Sequence, residues 1–142
     1  MTSNQQPLFS ICIPNYNYAH YIGETIESVL NQDFEDYEIV IVDNCSTDNS
    51  MEVIKRYKDP RIRVFQNNYN VGFAPNLQCV TEKAIGQFLN LLSADDQMAP
   101  GALRRMAEVI QKESNQNQQN LVLVSDVTMI DGNGNEFGFI AN

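Results

Sequence analysis

The sequence is poor in basic residues and contains no tryptophan and a single histidine. Its 9 lysine and arginine residues stand against 18 aspartate and glutamate residues, so the formal net charge is −9. Because nucleic-acid binding depends largely on Lys and Arg contacts with phosphates, this balance argues against a nucleic acid as partner. An anionic ligand would need local positive charge from a metal ion or from helix N-termini.

Long hydrophobic runs and cysteine motifs are also absent. No apolar run is long enough to span a bilayer, and the polar segment 1–7 has no signal-peptide pattern. Cys12, Cys45 and Cys79 are widely spaced and form no zinc or redox motif. We therefore expect a reducing compartment, namely the cytoplasm, including the inner face of its membrane.

The two commonest phosphate-binding motifs of α/β proteins are missing. No G-x-G-x-x-G follows the first apolar run, and no G-x-x-x-x-G-K-[ST] occurs anywhere in the chain. An enzyme that synthesises sugar nucleotides would carry a glycine-rich, basic loop after its first strand, and segment 14–17 is neither. This lack weakens the nucleotidyltransferase interpretation.

What the sequence does contain is an alternation of short apolar runs and amphipathic segments. Continuous apolar runs of strand length predict five strands, and residues of helical periodicity between them predict four helices. The strands are expected at 8–14, 38–42, 62–66, 88–92 and 121–124, and the helices at 21–31, 49–57, from Pro75 to about Gly86, and from Pro100 to about Lys112. This order predicts one α/β domain, a mostly parallel central sheet with helices on both faces.

Local signals refine this outline. Asn49 and Glu52 are spaced as in a capping box, which would start the second helix. Asp-Gly and Asn-Gly pairs within 131–134 predict a hairpin turn. A calcium loop is the less favoured alternative, because Glu136 stands where such a loop needs glycine.

Two adjacent carboxylates, Asp95 and Asp96, directly follow the predicted strand 88–92. We expect this strand to be buried on both faces, so the two aspartates must lie where it leaves the sheet. Neighbouring carboxylates repel each other, and a hard divalent cation with open positions for phosphate oxygens would relieve that repulsion. The alternative is a solvated loop or a helix N-terminus, which acidic residues favour.

Other polar residues follow the first two predicted strands. In an open α/β sheet ligands bind at the carboxyl ends of the strands, so these residues should share one crevice. Tyr16 offers a ring face to a planar base, and Asp43 can accept a hydrogen bond from the ring N–H of uracil or thymine. With Asp95 and Asp96 for ribose and a metal, a nucleoside diphosphate would satisfy all of these groups.

These residues carry a resemblance to the donor-binding part of inverting family 2 glycosyltransferases, which have the nucleotide-diphospho-sugar transferase (GT-A) fold. The resemblance covers about residues 9–126. The matching segments, in order, are 9–17 with Pro-Asn-Tyr-Asn, 26–32, 42–48 with Asp-Asn-Cys-Ser-Thr-Asp, Asn70-Val-Gly72 with Asn76, Ala84-Ile-Gly86, and 92–96 with Leu-Ser-Ala-Asp-Asp.

The resemblance implies a role for individual residues. Asp43 would bind the base ring N–H, Asp95 would contact ribose, and Asp96 would hold Mn²⁺ or Mg²⁺ on the diphosphate. The nucleotide-sugar-binding set implied by the family comprises Pro14, Asn15, Tyr16, Asn17, Asp43, Asn76, Ala94 and Asp95. The donor would be a UDP- or dTDP-linked sugar, and the acceptor a saccharide, a lipid-linked molecule or a protein.

The sequence departs from the family pattern at two positions. Ser93 replaces the first aspartate of the metal motif, and Pro75 stands where many members carry arginine. The family's general base and acceptor site follow the metal motif at a distance, so we expect 1–142 to be a donor-binding domain that stops before them. A degenerate or truncated module that binds nucleotide sugar without turnover is the alternative.

Overall fold

The computed structural model describes residues 6–114, 122 and 127–140. The chain divides into two compact units, Met1–Arg105 and Met106–Asn142. Apart from Val122, the strand predicted at 121–124 lies outside the described residues.

The first unit alternates strands and helices in the predicted order. Its elements are β1 (Phe9–Asn15), α1 (Ile22–Leu30), β2 (Tyr37–Asp43), α2 (Ser50–Ile54), β3 (Ile62–Gln66), α3 (Phe73–Lys83), β4 (Phe88–Leu91) and the start of α4 (Ala102–Ser114). The four strands form one sheet in the order β3-β2-β1-β4, and every pairing is parallel. The predicted parallel α/β architecture is confirmed. Among the described residues, no helix is long and apolar enough to cross a membrane.

The two central strands carry the core. Every residue of β2 is buried, and in β1 only Pro14 is partly exposed. Alternate side chains point to opposite faces of a sheet. On one face Cys12, Val40 and Val42 pack against Val80 of α3. On the other face α1 covers the sheet, where the Tyr37 hydroxyl donates to a carbonyl of α1 at 3.1 Å. Helices therefore lie on both faces, as predicted.

The prediction that β4 is buried on both faces is wrong. Leu89 and Leu91 are each 52% exposed, because β4 is an edge strand that pairs only with β1 in the described sheet. A continuous apolar run suits a central strand, and sequence alone does not give the position of the strand in the sheet. The position of the aspartates after β4 is nevertheless as expected.

Helix ends differ from the prediction at three places. Asn49 makes no side-chain capping bond at α2, and Asp48 instead accepts both the backbone N–H and the hydroxyl of Ser50, so no capping box forms. α3 begins two residues before Pro75. Pro75 therefore lies in the first turn of the helix, where its missing N–H is harmless. α4 begins at Ala102, two residues after Pro100.

The second unit contains the predicted hairpin. β5 (Val127–Ile130) and β6 (Glu136–Ile140) pair antiparallel. The Asp131 carboxylate accepts the backbone N–H groups of Asn133 and Asn135 at 2.8 and 2.9 Å, which closes the turn. The hairpin interpretation is confirmed.

A buried carboxylate anchors the amino edge of the first unit. Glu38 accepts hydrogen bonds from the Ser10 hydroxyl at 2.6 Å and from the N–H of Ile85 at 2.7 Å, and it pairs with Arg63 at 2.7 Å. The Ser10 hydroxyl in turn accepts the N–H of Gly86 at 2.7 Å. These contacts hold the turn between α3 and β4, so the Ala84-Ile-Gly86 segment is structural at this edge.

The loss of folding stability at acidic pH should depend on Glu38. Burial alone would raise the pKa of this carboxyl, but the hydrogen bonds from Ser10, Ile85 and Arg63 hold its pKa below the usual value. A lowered folded-state pKa adds stability above the unfolded-state pKa, and this contribution is lost as the pH falls through the folded-state pKa. Glu38→Gln should therefore lose less stability than wild type on acidification in urea titrations. The control is Glu52→Gln, which removes an exposed carboxylate and should lose stability on acidification as wild type does. If Glu38→Gln also loses as much stability as wild type, this role of Glu38 is contradicted.

Gly86 should tolerate no side chain. An added Cβ would lie 2.6 Å from the Ser10 nitrogen and 2.7 Å from the Phe9 carbonyl carbon, both of which are backbone atoms. Gly86→Ala should lower the free energy of unfolding by roughly 1–3 kcal/mol, the usual cost of overpacking. Gly132→Ala is the control, because its added methyl meets no atom within 4 Å. Equal urea midpoints for the two variants would refute the expectation.

Candidate functional site

Three neighbouring strands bring the predicted site residues to one edge of the sheet. Because β2, β1 and β4 are adjacent and parallel, their carboxyl ends lie at the same edge. Asn15 at the end of β1 is in register with Asp43 at the end of β2. The N–H of Leu92 donates to the carbonyl of Cys12 at 3.0 Å, which carries the segment after β4 along β1. The predicted grouping at one edge is therefore present.

Asp43 is fully buried, and its carboxylate holds this edge together. Oδ1 accepts the side-chain N–H of Asn15 at 2.7 Å and the Ser46 hydroxyl at 2.5 Å. Oδ2 accepts the backbone N–H of Ser46 at 3.0 Å and Nε2 of Gln66 at 3.1 Å. A carboxylate offers about four acceptor positions, so donors of the protein already fill them.

This saturation bears on the role expected for Asp43. A nucleobase that bonded directly to its carboxylate would have to displace one of the four present donors. Three of those donors belong to Asn15 and Ser46, and the fourth belongs to Gln66, whose side chain is exposed. The direct contact stays a prediction, and Gln66 is the partner that a ligand reaches most easily.

Asn17 joins the loop after β1 to the loop after β2. Its backbone N–H donates to the Ser46 hydroxyl at 2.9 Å, and its Oδ1 accepts the N–H of Thr47 at 2.8 Å. Its φ of 60° lies in the left-handed region, which asparagine tolerates better than most residues. Asn17 thus acts within the protein as a clamp, in addition to any contact with a ligand.

Tyr16 lies between the hydrogen-bonded residues Asn15 and Asn17, and its side chain remains exposed to solvent. Its side chain is 40% exposed, whereas Asn15 is 1% exposed and Pro14 is half-buried. The chain therefore buries the carboxamide before the ring and leaves the ring accessible. Of these neighbours, Tyr16 is the group available for stacking on a planar base.

Asn76 is placed inside a cluster of amides at the β2 and β3 ends. It is 3% exposed, its Nδ2 donates to the Val42 carbonyl at 3.3 Å, and its Oδ1 accepts Nδ2 of Asn67 at 2.9 Å. Asn44 is held in the same cluster, where its Nδ2 donates to Oδ1 of Asn70 at 2.8 Å. Both polar atoms of the buried Asn76 amide have a protein partner, so in this arrangement the side chain orders the loop.

Ser93 and Ala94 shape the turn that carries the two aspartates. The N–H of Asp96 donates to the Ser93 carbonyl at 3.1 Å, and the Ser93 hydroxyl donates to Oδ1 of Asp95 at 2.5 Å. Ala94 is 1% exposed, so its methyl is a packing group and only its backbone could face a ligand. Asp95 and Asp96 are both exposed.

A polar stripe, formed by Thr25 and Ser28 of α1 and by Gln32 just past its end, fixes the segment around and after the two aspartates. Thr25 donates to the Ala94 carbonyl at 2.9 Å, and the Ser28 hydroxyl accepts the N–H of Met98 at 2.9 Å. Gln32 donates to the Ala99 carbonyl at 3.0 Å. Sequence reasoning assigned no role to these residues, although their spacing of i, i+3 and i+7 places them on one face of a helix and was a usable signal.

The Asp95–Asp96 pair fits a hard divalent cation. The side chain of Asp96 is exposed to solvent, yet crowding by protein atoms, followed by the charge of Asp95, raises its pKa. A cation would relieve both costs. The described residues contain no group of three or more His, Cys, Asp or Glu side chains that could hold a metal. A cation here would thus keep several positions for water or phosphate oxygens, as Mg²⁺ commonly does.

Removal of this charge should stabilise the free protein. A raised pKa means that the folded state penalises the ionised Asp96 carboxylate, so Asp96→Asn should raise the melting temperature at neutral pH. Asp36→Asn is the control for a general loss of negative charge, because Asp36 is exposed. Calorimetric melting of both variants without added metal measures the difference. A lower melting temperature for Asp96→Asn than for wild type would show that the folded state does not penalise this charge.

Comparison with known proteins gives consistent results. The family model described as glycosyl transferase family 2 matches residues 10–137. The putative teichuronic acid biosynthesis glycosyltransferase TuaG of Bacillus subtilis is 34% identical over 114 residues, which are 79% of this chain and 45% of that protein. The chain thus spans about half the length of this relative.

Solved structures agree with the sequence comparison. A crystal structure of S. aureus TarS 1–349 in complex with UDP-GlcNAc has a TM-score of 0.71 and 30% identity, over 75% of this chain and 32% of that one. The mannosyltransferase PcManGT from Pyrobaculum calidifontis, in complex with GDP-Man and Mn²⁺, has a TM-score of 0.68 over 89% of this chain and 36% of that one. At 21% identity it supports the fold alone. The expected GT-A fold is confirmed.

Proposed function

Because the chain belongs to glycosyl transferase family 2, we propose that it is the donor-binding domain of a glycosyltransferase that uses a nucleotide-diphosphate sugar. The proposal covers residues 1–142. A UDP- or dTDP-linked sugar is the donor that we favour, since TarS was crystallised with UDP-GlcNAc. The teichuronic acid relative makes polysaccharide biosynthesis the process that we favour.

One observation carries the proposal: suitable groups lie at the carboxyl ends of three adjacent parallel strands. They are the exposed ring of Tyr16 after β1, the hydrogen-bonded Asp43 at the end of β2, and the two carboxylates after β4. Tyr16 would stack on the base, and the edge centred on Asp43 would meet its polar rim. Asp95, held by the Ser93 hydroxyl, would accept ribose hydroxyls. Along the order β2-β1-β4, the groups proposed for the base follow β2 and β1, and the groups proposed for ribose and diphosphate follow β4.

Asp96 would hold the divalent cation, with Asp95 beside it. When bound, Mn²⁺ or Mg²⁺ would neutralise charge on the diphosphate that leaves the sugar. The chain's own contribution is to fix the turn: Thr25 bonds the Ala94 carbonyl, and the N–H of Asp96 bonds the Ser93 carbonyl. Ser93 leaves the site with two carboxylates, so we expect modest metal affinity.

The proposed reaction is a single displacement. An acceptor hydroxyl would lose its proton to a general base and attack the anomeric carbon as the bond to the diphosphate breaks, with inversion of configuration. We assign no general base in this chain, and the acceptor, whether a saccharide, a lipid-linked molecule or a protein, is open. The three cysteines are free, which supports the cytoplasm as the proposed location.

The direct test is titration calorimetry of UDP with and without Mn²⁺. Wild type should bind UDP more tightly with the metal, and Asp96→Ala should abolish that difference because it removes the metal ligand. Asp36→Ala, which removes an exposed carboxylate elsewhere, should behave as wild type.

Two other outcomes would change the interpretation. UDP binding that does not respond to metal would favour a metal-independent donor site, a consequence of Ser93. Failure of UDP, dTDP and GDP to bind under any condition would contradict the donor-binding proposal and favour a degenerate module that keeps only the fold.

A further inference from the structure

The exposed carboxamide of Gln66 is fixed by the buried carboxylate behind it. Gln66 ends β3, is in register with Asp43, and donates from Nε2 to Oδ2 of Asp43 at 3.1 Å. A carboxylate accepts hydrogen bonds only, so the nitrogen of the amide must face it and Oε1 must face away. Asp43 therefore sets the orientation of an acceptor that lies at the surface of the candidate site.

The free atoms of Gln66 are those that a ligand could use. Among the described residues, Oε1 and the second N–H of this amide have no partner, and the side chain is exposed. Asp43, in contrast, is 0% exposed and saturated by four protein donors. Of Gln66 and Asp43, the accessible hydrogen-bonding group is thus the amide and not the carboxylate.

One buried acceptor beside Asp43 is left without a donor. Oδ1 of Asn15 is buried and has no hydrogen-bond partner in the described structure, since the amide nitrogen of the same side chain is committed to Asp43 and Ser46. An unpaired buried acceptor destabilises the edge in which it lies. Because Oδ1 of Asn15 is buried, it is not offered to a ligand, and the acceptor that Gln66 exposes is the one available.

From this geometry we infer that Gln66 reads the edge of the nucleobase and that Asp43 acts as its positioning residue. The inference rests on the proposed function. Oε1 of Gln66 accepts the ring N–H of uracil or thymine, and its free N–H donates to a neighbouring base carbonyl. The preference for a uracil or thymine base is thereby determined by the Gln66 amide at the end of β3, which the buried Asp43 carboxylate holds in one orientation.

The test compares UDP with its N3-methyl analogue, which lacks the ring N–H. Wild type should prefer UDP, and Gln66→Met should weaken UDP binding by roughly five- to tenfold, the loss expected for one or two hydrogen bonds. The same change should bring the two affinities close together, because methionine keeps the length of the side chain without its polar atoms. Gln87→Met at the start of β4, the opposite edge of the sheet, is the matched control, since Gln87 is also exposed.

The melting temperature of each variant reports folding, and Gln66→Asn, which keeps an amide on a shorter stem, provides a second variant. Its amide cannot reach Asp43 and base together, so discrimination should fall here too. If Gln66→Met and Gln66→Asn both retain wild-type affinity and discrimination, while Asp43→Asn loses them, the base contacts Asp43 and the inference is overturned. If wild type binds no UDP, the proposed function fails, and the inference fails with it.

Discussion

A single buried carboxylate organises the candidate site. Asp43 receives donors from β1 through Asn15, from its own loop through Ser46, and from β3 through Gln66. A buried charge is costly unless it is fully hydrogen-bonded, so the loops that follow the strands must take up this one arrangement to satisfy it. The same requirement that stabilises the edge also leaves Tyr16 and Gln66 exposed beside it. Structure and proposed recognition therefore depend on the same interaction.

The central sheet was predictable because its physical cause is local in the sequence. Uninterrupted apolar runs such as Ile39–Val42 favour burial on both faces, and intervening helical patterns favour parallel crossovers. The place of β4 was not predictable, since Leu89 and Leu91 have the composition of a central strand but lie at an edge. Helix starts were also missed, because Asp48 competes with Asn49 for the first N–H groups of α2.

The positions of the site residues could be predicted from the sequence better than their individual roles could. Asp95, Asp96 and Tyr16 are exposed at one edge, as the strand ends implied. The amides of Asn15, Asn17 and Asn76 are engaged with other protein groups, and Ala94 is buried. Such long-range hydrogen bonds join residues distant in the chain, so no local pattern reveals them. The polar stripe of α1, with its regular spacing, is the part that the sequence pattern could have revealed.

The central claim is that the carboxyl edge of the sheet is a nucleotide site. Nuclear magnetic resonance of backbone amides during a titration with UDP and Mg²⁺ tests it most directly. We predict shifts in Tyr16, Gln66, Asp95 and Asp96, with little change in Phe9, Ile62 and Gln87 at the amino edge. Shifts confined to the amino edge, or none at saturating nucleotide, would contradict the claim.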